Sequence, residues 1–550
     1  MKLRDFLILF VLCVLVFWAR LGRIGLIDPD EPFYAVTAQE MLQGGDWVTP
    51  KIFGEPQFEK PVFYYWLVAA SFKIFGVNNE WAGRLPSALP GTLMVFLVYA
   101  FTARVWNRRA GLLAGVVLAS GLEYAIMSRL MLTDIALALF IAGGMFCYWL
   151  AMEDPEKRTR WVLLHFAFGG LAMFIKGPVG AIASLLATVT FSLVMKRPHP
   201  YRGRALGAGI ALYLAIAAPW YAVMFWKFGW AYFDAFVVHE NIMRFFRAEH
   251  HSNNHFWYYP MILLGGSIPW MPAVVTACSR AIRSGIRHDA RLTFLWCWLL
   301  TSLVLLTAAQ SKLPSYGFFM FVPLAMIVAL ALDELWEKGF RDAKERVVVI
   351  LLSVVQIGIG VAAPFIKLAK PFATPALLFS GCLAVGLVFV WRARVGGWVL
   401  ANAAATVALI VGALTFSAEH VEAYSSAKPA AERMYQMRRG NEPLVGGIFL
   451  VRGVHYYTHD RTHAKMTVIG LREKPFKWTQ HDLPVIAGLD GQGAAIGLRA
   501  FLKQHGSAIC TVRRREWTLY WEKFGFADPA TPIEWSGDNV IVRLVDTSPK

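Results

Sequence analysis

Cysteine is scarce, and its placement marks no scaffold: Cys13, Cys147, Cys278, Cys297, Cys382 and Cys510 are scattered over 550 residues. Five of them lie in or at the ends of apolar stretches and no CxxC pair occurs, so neither a disulfide framework nor a thiolate metal site is implied. Charge is thin as well. Only 17% of residues are charged, against 57% hydrophobic and 14% aromatic, a balance far from that of soluble domains. The net charge of +17 comes with no basic stripe and no recognised nucleic-acid motif, which excludes nucleic acid as a partner.

What the chain has instead is long apolar runs and a mean hydropathy of +0.47, the marks of a polytopic membrane protein. A helix crossing hydrocarbon needs about 20 mostly apolar residues, because its backbone polar groups must be satisfied within the segment. By that measure thirteen spans are expected, near 5–22, 84–103, 110–128, 134–152, 162–175, 177–195, 206–226, 257–277, 291–309, 315–336, 347–366, 374–391 and 396–416. The first follows Met1-Lys2-Leu3-Arg4 without a small-x-small cleavage site and reads as an uncleaved helix. Lys and Arg concentrate in one alternate set of loops: 104–109, 157–160, 196–204, 280–291 (with Arg287) and 338–346 (with Arg341). Those loops and the N-terminus belong in the cytoplasm, and thirteen spans place the C-terminus outside.

Composition turns polar after residue 416, giving two expected domains, 1–416 in the membrane and 417–550 outside it. In the tail, short apolar runs at 445–451, 508–513 and 539–545 alternate with helical patterns at 427–438 and 494–504, the signature of a small α/β domain. It has neither P-loop nor nucleophile elbow.

Two outer loops, 23–83 and 227–256, are dense in groups a connector does not need, and a catalytic cavity facing the periplasm is expected beneath them. The first opens Asp28-Pro29-Asp30-Glu31-Pro32-Phe33-Tyr34 and runs on with helical periodicity suited to the membrane interface. Asp30 just before that helix is open to two readings, an N-terminal cap or first-turn acid and a reactive carboxylate. Glu31 reads as structural. The outer side also carries cations that the loop bias should exclude, among them Arg129, Lys176, Lys312, Lys367 and Lys370; snorkelling at a helix end accounts for Lys367 and Lys370, and Arg129 and Arg247 stay undecided.

Asp30-Glu31 with Tyr34, Lys60-Pro61 before Tyr65-Trp66, and Arg84-Leu85-Pro86-Ser87 resemble the large first loop of the GT-C glycosyltransferases of the protein O-mannosyltransferase superfamily. Further signatures follow in order: Leu132-Thr133-Asp134, Lys176-Gly177-Pro178, Pro219-Trp220-Tyr221, Glu240-Asn241 with Arg244-Phe245, Pro269-Trp270, and Ser311-Lys312-Leu313-Pro314-Ser315-Tyr316. Each is weak alone and the ordered series is strong. Size and a single outer tail domain make the chain most similar to the bacterial lipid A aminoarabinose transferases.

The resemblance implies an all-α polytopic GT-C membrane protein of about 13 transmembrane helices with a C-terminal α/β domain, in the bacterial inner membrane. It implies transfer of 4-amino-4-deoxy-L-arabinose from undecaprenyl phosphate to lipid A phosphates at the periplasmic face, with inversion, a modification that gives polymyxin resistance. Lys60, Lys176, Arg244 and Lys312, with the hydroxyls of Tyr34 and Tyr316, are then expected at the donor phosphate, where charge builds as the glycosidic bond breaks. Asp30 is the expected essential acid, either a stabiliser of the oxocarbenium-like centre or a general base for a hydroxyl acceptor. Asp134 is the second candidate acid, as a helix cap or as a contact to the cationic sugar amine.

No cofactor is required by the sequence. A divalent metal, zinc or magnesium, is an open alternative, with Glu59 and His239 as first ligands and Glu249, His250, His251 and His255 in the same loop, although these spacings match no standard zinc motif. Partners are the lipid-linked donor, a lipid A acceptor and membrane lipids. Two other functions stay in view: mannosyl transfer to protein, and a flippase or transporter. The latter should show ionisable groups at midmembrane and paired broken helices; the sequence reads as having neither, its acids lying in outer loops.

Overall fold

The protein is described from a computed structural model covering residues 2–247, 253–285, 289–340, 342–462, 466–470, 485–487 and 491–547; Glu249, His250, His251, Arg287 and Arg341 lie outside the described residues. The chain forms two compact units, both discontinuous in sequence. The first is Met1–Arg20, Phe58–Tyr64 and Pro86–Phe416, and the second is Leu21–Gln57, Tyr65–Leu85 and Ser417–Lys550. The division at 416/417 expected from composition therefore regroups the first outer loop: residues 21–57 and 65–85 belong with the tail.

Among the described residues, eight helices are long and apolar enough to cross a membrane by length and composition: Glu80–Val105, Thr133–Glu153, Arg204–Phe246, Ala290–Ala308, Pro314–Lys338, Ala343–Phe365, Lys370–Trp391 and Val395–Phe416. The other five expected spans are helical but short, charged or interrupted. Val179–Met195 has 17 residues, and Arg158–Lys176 carries Arg158, Arg160 and Lys176. Leu3–Cys13 passes into a wide turn, Val14–Trp18, where Arg129 donates to the carbonyls of Val16 (2.7 Å) and Ala19 (2.8 Å). That contact gives Arg129 a structural task.

Two spans are broken, contrary to the sequence reading. Arg108–Ala119 stops at Ser120-Gly121 and resumes as Leu122–Met127, while Tyr258–Gly266 stops before Pro269 and resumes as Met271–Ser284. Each break supplies what the other lacks. The Leu122 amide donates to the Ile268 carbonyl (2.8 Å), the Trp270 indole donates to Ser120 Oγ (3.1 Å), and Thr406 Oγ1 donates to the Ser120 carbonyl (2.6 Å). Free backbone groups in an apolar interior are thereby satisfied.

Helix ends follow local chemistry. Asn107, Asp289 and Asp342 cap the helices that follow them by accepting from backbone amides. Arg158–Lys176 ends at Gly177, whose φ of 99° suits glycine, and Pro178 immediately precedes the next helix. Residues 227–247, expected as loop, continue the preceding helix instead: after a kink at Gly229 (φ 53°) the chain enters wide π-type turns over Phe233–Met243 and a short turn Arg244–Phe246. The apolar Tyr232 and Phe236, both buried and stacked at 5.6 Å, carry that continuation.

The second unit is built on a six-stranded sheet. Its strands follow a two-stranded hairpin, β1 (Lys51–Ile52) and β2 (Glu55–Pro56), and are β3 (Leu444–Gly447), β4 (Met466–Gly470), β5 (Val485–Ala487), β6 (Ser507–Arg513), β7 (Glu534–Ser536) and β8 (Asn539–Val545), ordered β5-β4-β3-β6-β8-β7. Pairings from β5 to β6 are parallel; β6-β8 and β8-β7 are antiparallel. Helices Lys428–Met437, Val451–Thr462 and Gly491–His505 accompany it, which is the expected α/β tail. The run at 445–451 is strand only to Gly447, and Val451 already begins a helix. Val445, Ile469, Leu498, Cys510, Trp517 and Val542 lie in its core.

Within this unit the acidic loop is pinned from both ends. Arg84, 2% exposed, donates to both Glu31 carboxylate oxygens (2.9 and 2.6 Å) and to the carbonyls of Leu21, Ile24 and Gly25 (2.9 Å each). Glu31 also accepts from the Ile27 amide (2.7 Å). Asp28 Oδ2 accepts from the Ala427 amide (2.6 Å), and burial pushes the Asp28 carboxyl well above the usual carboxylate range. Gly453 is required beside it, since a Cβ there would stand 2.5 Å from Asp28 Oδ1. The helix Asp30–Gly44 is buried on nearly every side and so lacks the lipid-facing stripe of an interfacial helix.

A buried ion pair that loses one partner leaves an uncompensated charge costing about 3–5 kcal/mol. Glu31→Gln is accordingly expected to lower the melting temperature of detergent-solubilised protein sharply, whereas Asp30→Asn, at an exposed position, should leave it within error; differential scanning fluorimetry on both variants checks this.

Candidate active site

In the first unit, the ends of two helices meet at a charge pair. Lys176 closes Arg158–Lys176 and Asp134 stands in the first turn of Thr133–Glu153, so each charge also complements the dipole of its own helix. Their contact is 2.5 Å, with both side chains largely buried, 11% and 6% exposed. The Lys176 ammonium lies 4.8 Å from the centre of the Tyr316 ring, a cation-π contact. Asp134, for which cap and amine contact were both open, is thus engaged by Lys176; the residue preceding its helix, Leu132, provides no side-chain cap.

A second cluster stands within electrostatic reach of the first. Its hub is Glu240, 8% exposed, which accepts from Lys60 (3.2 Å) and pairs with Arg244 (2.5 Å). Lys60 also donates to the Glu59 carbonyl (3.0 Å). Its short segment is held by rings at both ends: Phe58 lies 5.1 Å from Phe228 and 5.4 Å from Tyr232, and Phe63 stacks on Phe174 at 5.3 Å. The wide turns at Phe233–Met243 set Glu240 and Arg244 on one side, and departures of this kind from α-geometry are frequent at functional sites. By sequence alone Glu240 stands out only as part of the Glu240-Asn241 motif. Its signal was the i,i+4 spacing to Arg244, visible once residues 227–247 are recognised as helical.

Of the remaining expected residues, Lys312 is 2% exposed and donates to Asn254 Oδ1 and to the Ala309 carbonyl (2.6 Å each); loss of hydration lowers its pKa from the ordinary lysine value. Backbone bonds tie its loop to the Arg244 region, from the Gln310 amide to the Phe245 carbonyl (2.9 Å) and from the Ser311 amide to the Arg244 carbonyl (3.1 Å). Asp30 and Tyr34 belong to the second unit. Tyr34 is 6% exposed with its ring 5.7 Å from Tyr65. Asp30 is the first residue of its helix, one place inside the expected position, with Pro29 as the preceding cap residue. Asp28 and Glu31 are both buried in structural bonds, and Asp30 is the exposed acid of the motif.

His239 faces Glu240 at 3.4 Å. Among the described residues, no group of three or more His, Cys, Asp or Glu side chains is placed to hold a metal ion, so Glu59 and His239 form no such group.

In these two clusters three cations, Lys60, Lys176 and Arg244, share two carboxylates, Asp134 and Glu240. Such an arrangement leaves one positive charge for an anion and holds the ammonium and guanidinium groups in place before it arrives. Lys176→Met alone should cost about 3–5 kcal/mol by stranding Asp134. Adding Asp134→Leu should restore the melting temperature while binding of a polyprenyl phosphate, measured by fluorescence titration, stays weak.

Residues 2–233 match the family model described as dolichyl-phosphate-mannose-protein mannosyltransferase. The chain is similar to the undecaprenyl phosphate-alpha-4-amino-4-deoxy-L-arabinose arabinosyl transferase of Erwinia tasmaniensis, 33% identical over 311 residues, an alignment spanning 55% of each chain. It is similar to the transferase of the same name from Pseudomonas paraeruginosa, 27% identical over 77% of this chain and 82% of that one. In fold it is similar to the crystal structure of ArnT from Cupriavidus metallidurans bound to undecaprenyl phosphate, with a TM-score of 0.78, 19% identity and 99% of both chains covered. Over residues 2–233 the chain matches that mannosyltransferase family, and over its length it shares the fold of the undecaprenyl phosphate-bound structure.

Proposed function

We propose that the protein transfers 4-amino-4-deoxy-L-arabinose from undecaprenyl phosphate to phosphate groups of lipid A on the periplasmic side of the bacterial inner membrane, with its N-terminus in the cytoplasm. The observation that carries this reading is the pair of clusters in the first unit, where Lys60, Lys176 and Arg244 are fixed by two carboxylates and keep one positive charge in excess. The activity of the Erwinia and Pseudomonas relatives, transfer of 4-amino-4-deoxy-L-arabinose from undecaprenyl phosphate, supports the substrate class.

In the proposed reaction an oxygen of the acceptor phosphate attacks the anomeric carbon from the face opposite the leaving group. The bond from that carbon to the undecaprenyl phosphate oxygen breaks, its electron pair stays on the phosphate, and the configuration inverts. Charge on the departing phosphate grows as the bond breaks, so preorganised cations stabilise the transition state more than the ground state. A phosphomonoester near neutral pH has lost most of its second proton, whose pKa is about 6, and needs no strong base. Asp30 then serves to stabilise positive charge developing at the anomeric carbon, as carboxylates do in glycoside hydrolysis. Its exposure, beside two buried acids with structural bonds, supports its selection from the motif.

The match of residues 2–233 to the mannosyltransferase model favours a second reading, mannosyl transfer to protein hydroxyls, in which Asp30 acts as a general base. One experiment separates the two. The chain and Asp30→Asn are expressed in a polymyxin-sensitive Gram-negative strain that makes the aminoarabinose donor but lacks its transferase, and extracted lipid A is weighed by mass spectrometry. A gain of one aminopentose per modified phosphate, lost in Asp30→Asn at equal expression, is expected. Unmodified lipid A with properly inserted wild-type protein would overturn the proposal and favour the mannosyl reading.

A further inference from the structure

The sequence placed the acids of this chain in outer loops, yet Glu123 lies inside the expected span 110–128, in the short helix Leu122–Met127 that follows the first helix break. The preceding break puts its backbone against the second one, so that a Cβ on Gly266 would stand 2.7 Å from the Glu123 Cβ. Its side chain is only half-buried, and among the described residues it has neither an ion pair nor a hydrogen bond. Other acids of the first unit show the contrast: Asp5 is held by Arg108, Asp333 by Arg109, Glu345 by Arg280, Asp134 by Lys176 and Glu240 by Lys60 and Arg244.

An ionisable group within a membrane span is costly and almost always has a partner or a functional use. The next residue, Tyr124, stacks on Phe318 at 5.1 Å, which seats this short helix against the turn that carries Tyr316, and Glu123 is within electrostatic reach of Asp134 and of Tyr258. Asp134 is already committed to Lys176 at 2.5 Å, which leaves Glu123 as the carboxylate there with no cation of its own. Cations from the protein are arranged toward an anion; a carboxylate with no cationic neighbour is arranged toward a positive charge. The donor in the proposed reaction brings one, the ammonium at C4 of its sugar.

We propose that Glu123 is a specificity-determining residue that binds the ammonium group of the aminosugar. This rests on the function proposed above and adds to it the group that separates an aminosugar from a neutral sugar. A carboxylate left unpaired lowers stability until the ammonium arrives, and it turns away a sugar with hydroxyl at C4, for which desolvating the carboxylate gains no ion pair.

The test compares full-length wild-type and Glu123→Gln protein in detergent, with the undecaprenyl phosphate donor of 4-amino-4-deoxy-L-arabinose and with its counterpart bearing hydroxyl at C4. A charged hydrogen bond of this kind predicts that Glu123→Gln raises KM for the amino donor roughly ten- to hundredfold, with kcat/KM for the hydroxy donor little changed and the melting temperature equal or higher. Glu123→Asp, which keeps the charge, should retain the preference for the amine. Equal losses on both donors, no loss on either, or a fall in melting temperature for Glu123→Gln would overturn the inference. Wild-type protein that turns over neither donor sinks the parent reading and this one with it, an outcome distinct from active wild type with an indifferent variant.

Discussion

The fork of Arg84 into Glu31 governs the acidic loop. A guanidinium stripped of water must satisfy its N–H groups locally or the segment does not fold, and Arg84 does so with one carboxylate and three carbonyls drawn from Leu21, Ile24 and Gly25. With Glu31 engaged below and Asp28 bonded to the Ala427 amide, the Asp28-Pro29-Asp30-Glu31 run has one available conformation, in which Asp30 begins a helix and stays at the surface. Three acids within four residues thus divide into two that are buried, Asp28 and Glu31, and one that is exposed, Asp30.

The same requirement shapes the first unit with the opposite sign of surplus. Lys60, Lys176 and Arg244 are the ordinary donors for a phosphate, and each is held by a carboxylate that is itself largely buried. Partial neutralisation keeps such a cluster from repelling itself apart while retaining net attraction for an anion. Rigid supports do the rest: Gly177 ends the helix that carries Lys176, and the rings of Phe58 and Phe63 clamp the segment that carries Lys60.

Much of this was legible in the sequence because the signals are strong and local. Apolar length pointed to the eight long membrane helices, alternation of short apolar runs with helical patterns to the tail, and the order of short motifs to the cations and acids that the structure pairs, Lys60, Arg244, Asp134 and Lys176. What escaped is what depends on partners distant in the chain. Glu240 looks like one acid among several until its helix is known, and residues 227–247 hid that helix behind the glycine kink at Gly229. The helix breaks at Ser120-Gly121 and before Pro269 bond to each other and to Thr406, a pairing that no window of apolar residues reports. Glu123 was missed for the same reason, as a single charge inside an otherwise apolar run.

The discontinuity of the second unit has a consequence for how the protein is made. Residues 21–57 and 65–85 belong with a segment that begins at Ser417, so about 330 residues separate the two halves in order of synthesis. At roughly 5–20 residues per second, the N-terminal half waits on the order of 15–70 s for the strands and helices it folds with, and every intervening span must be inserted first. During that interval Asp28 lacks the Ala427 amide and the helix at Asp30–Gly44 lacks much of its cover. Assembly of the second unit is therefore a late event, which follows synthesis of every span between its two parts.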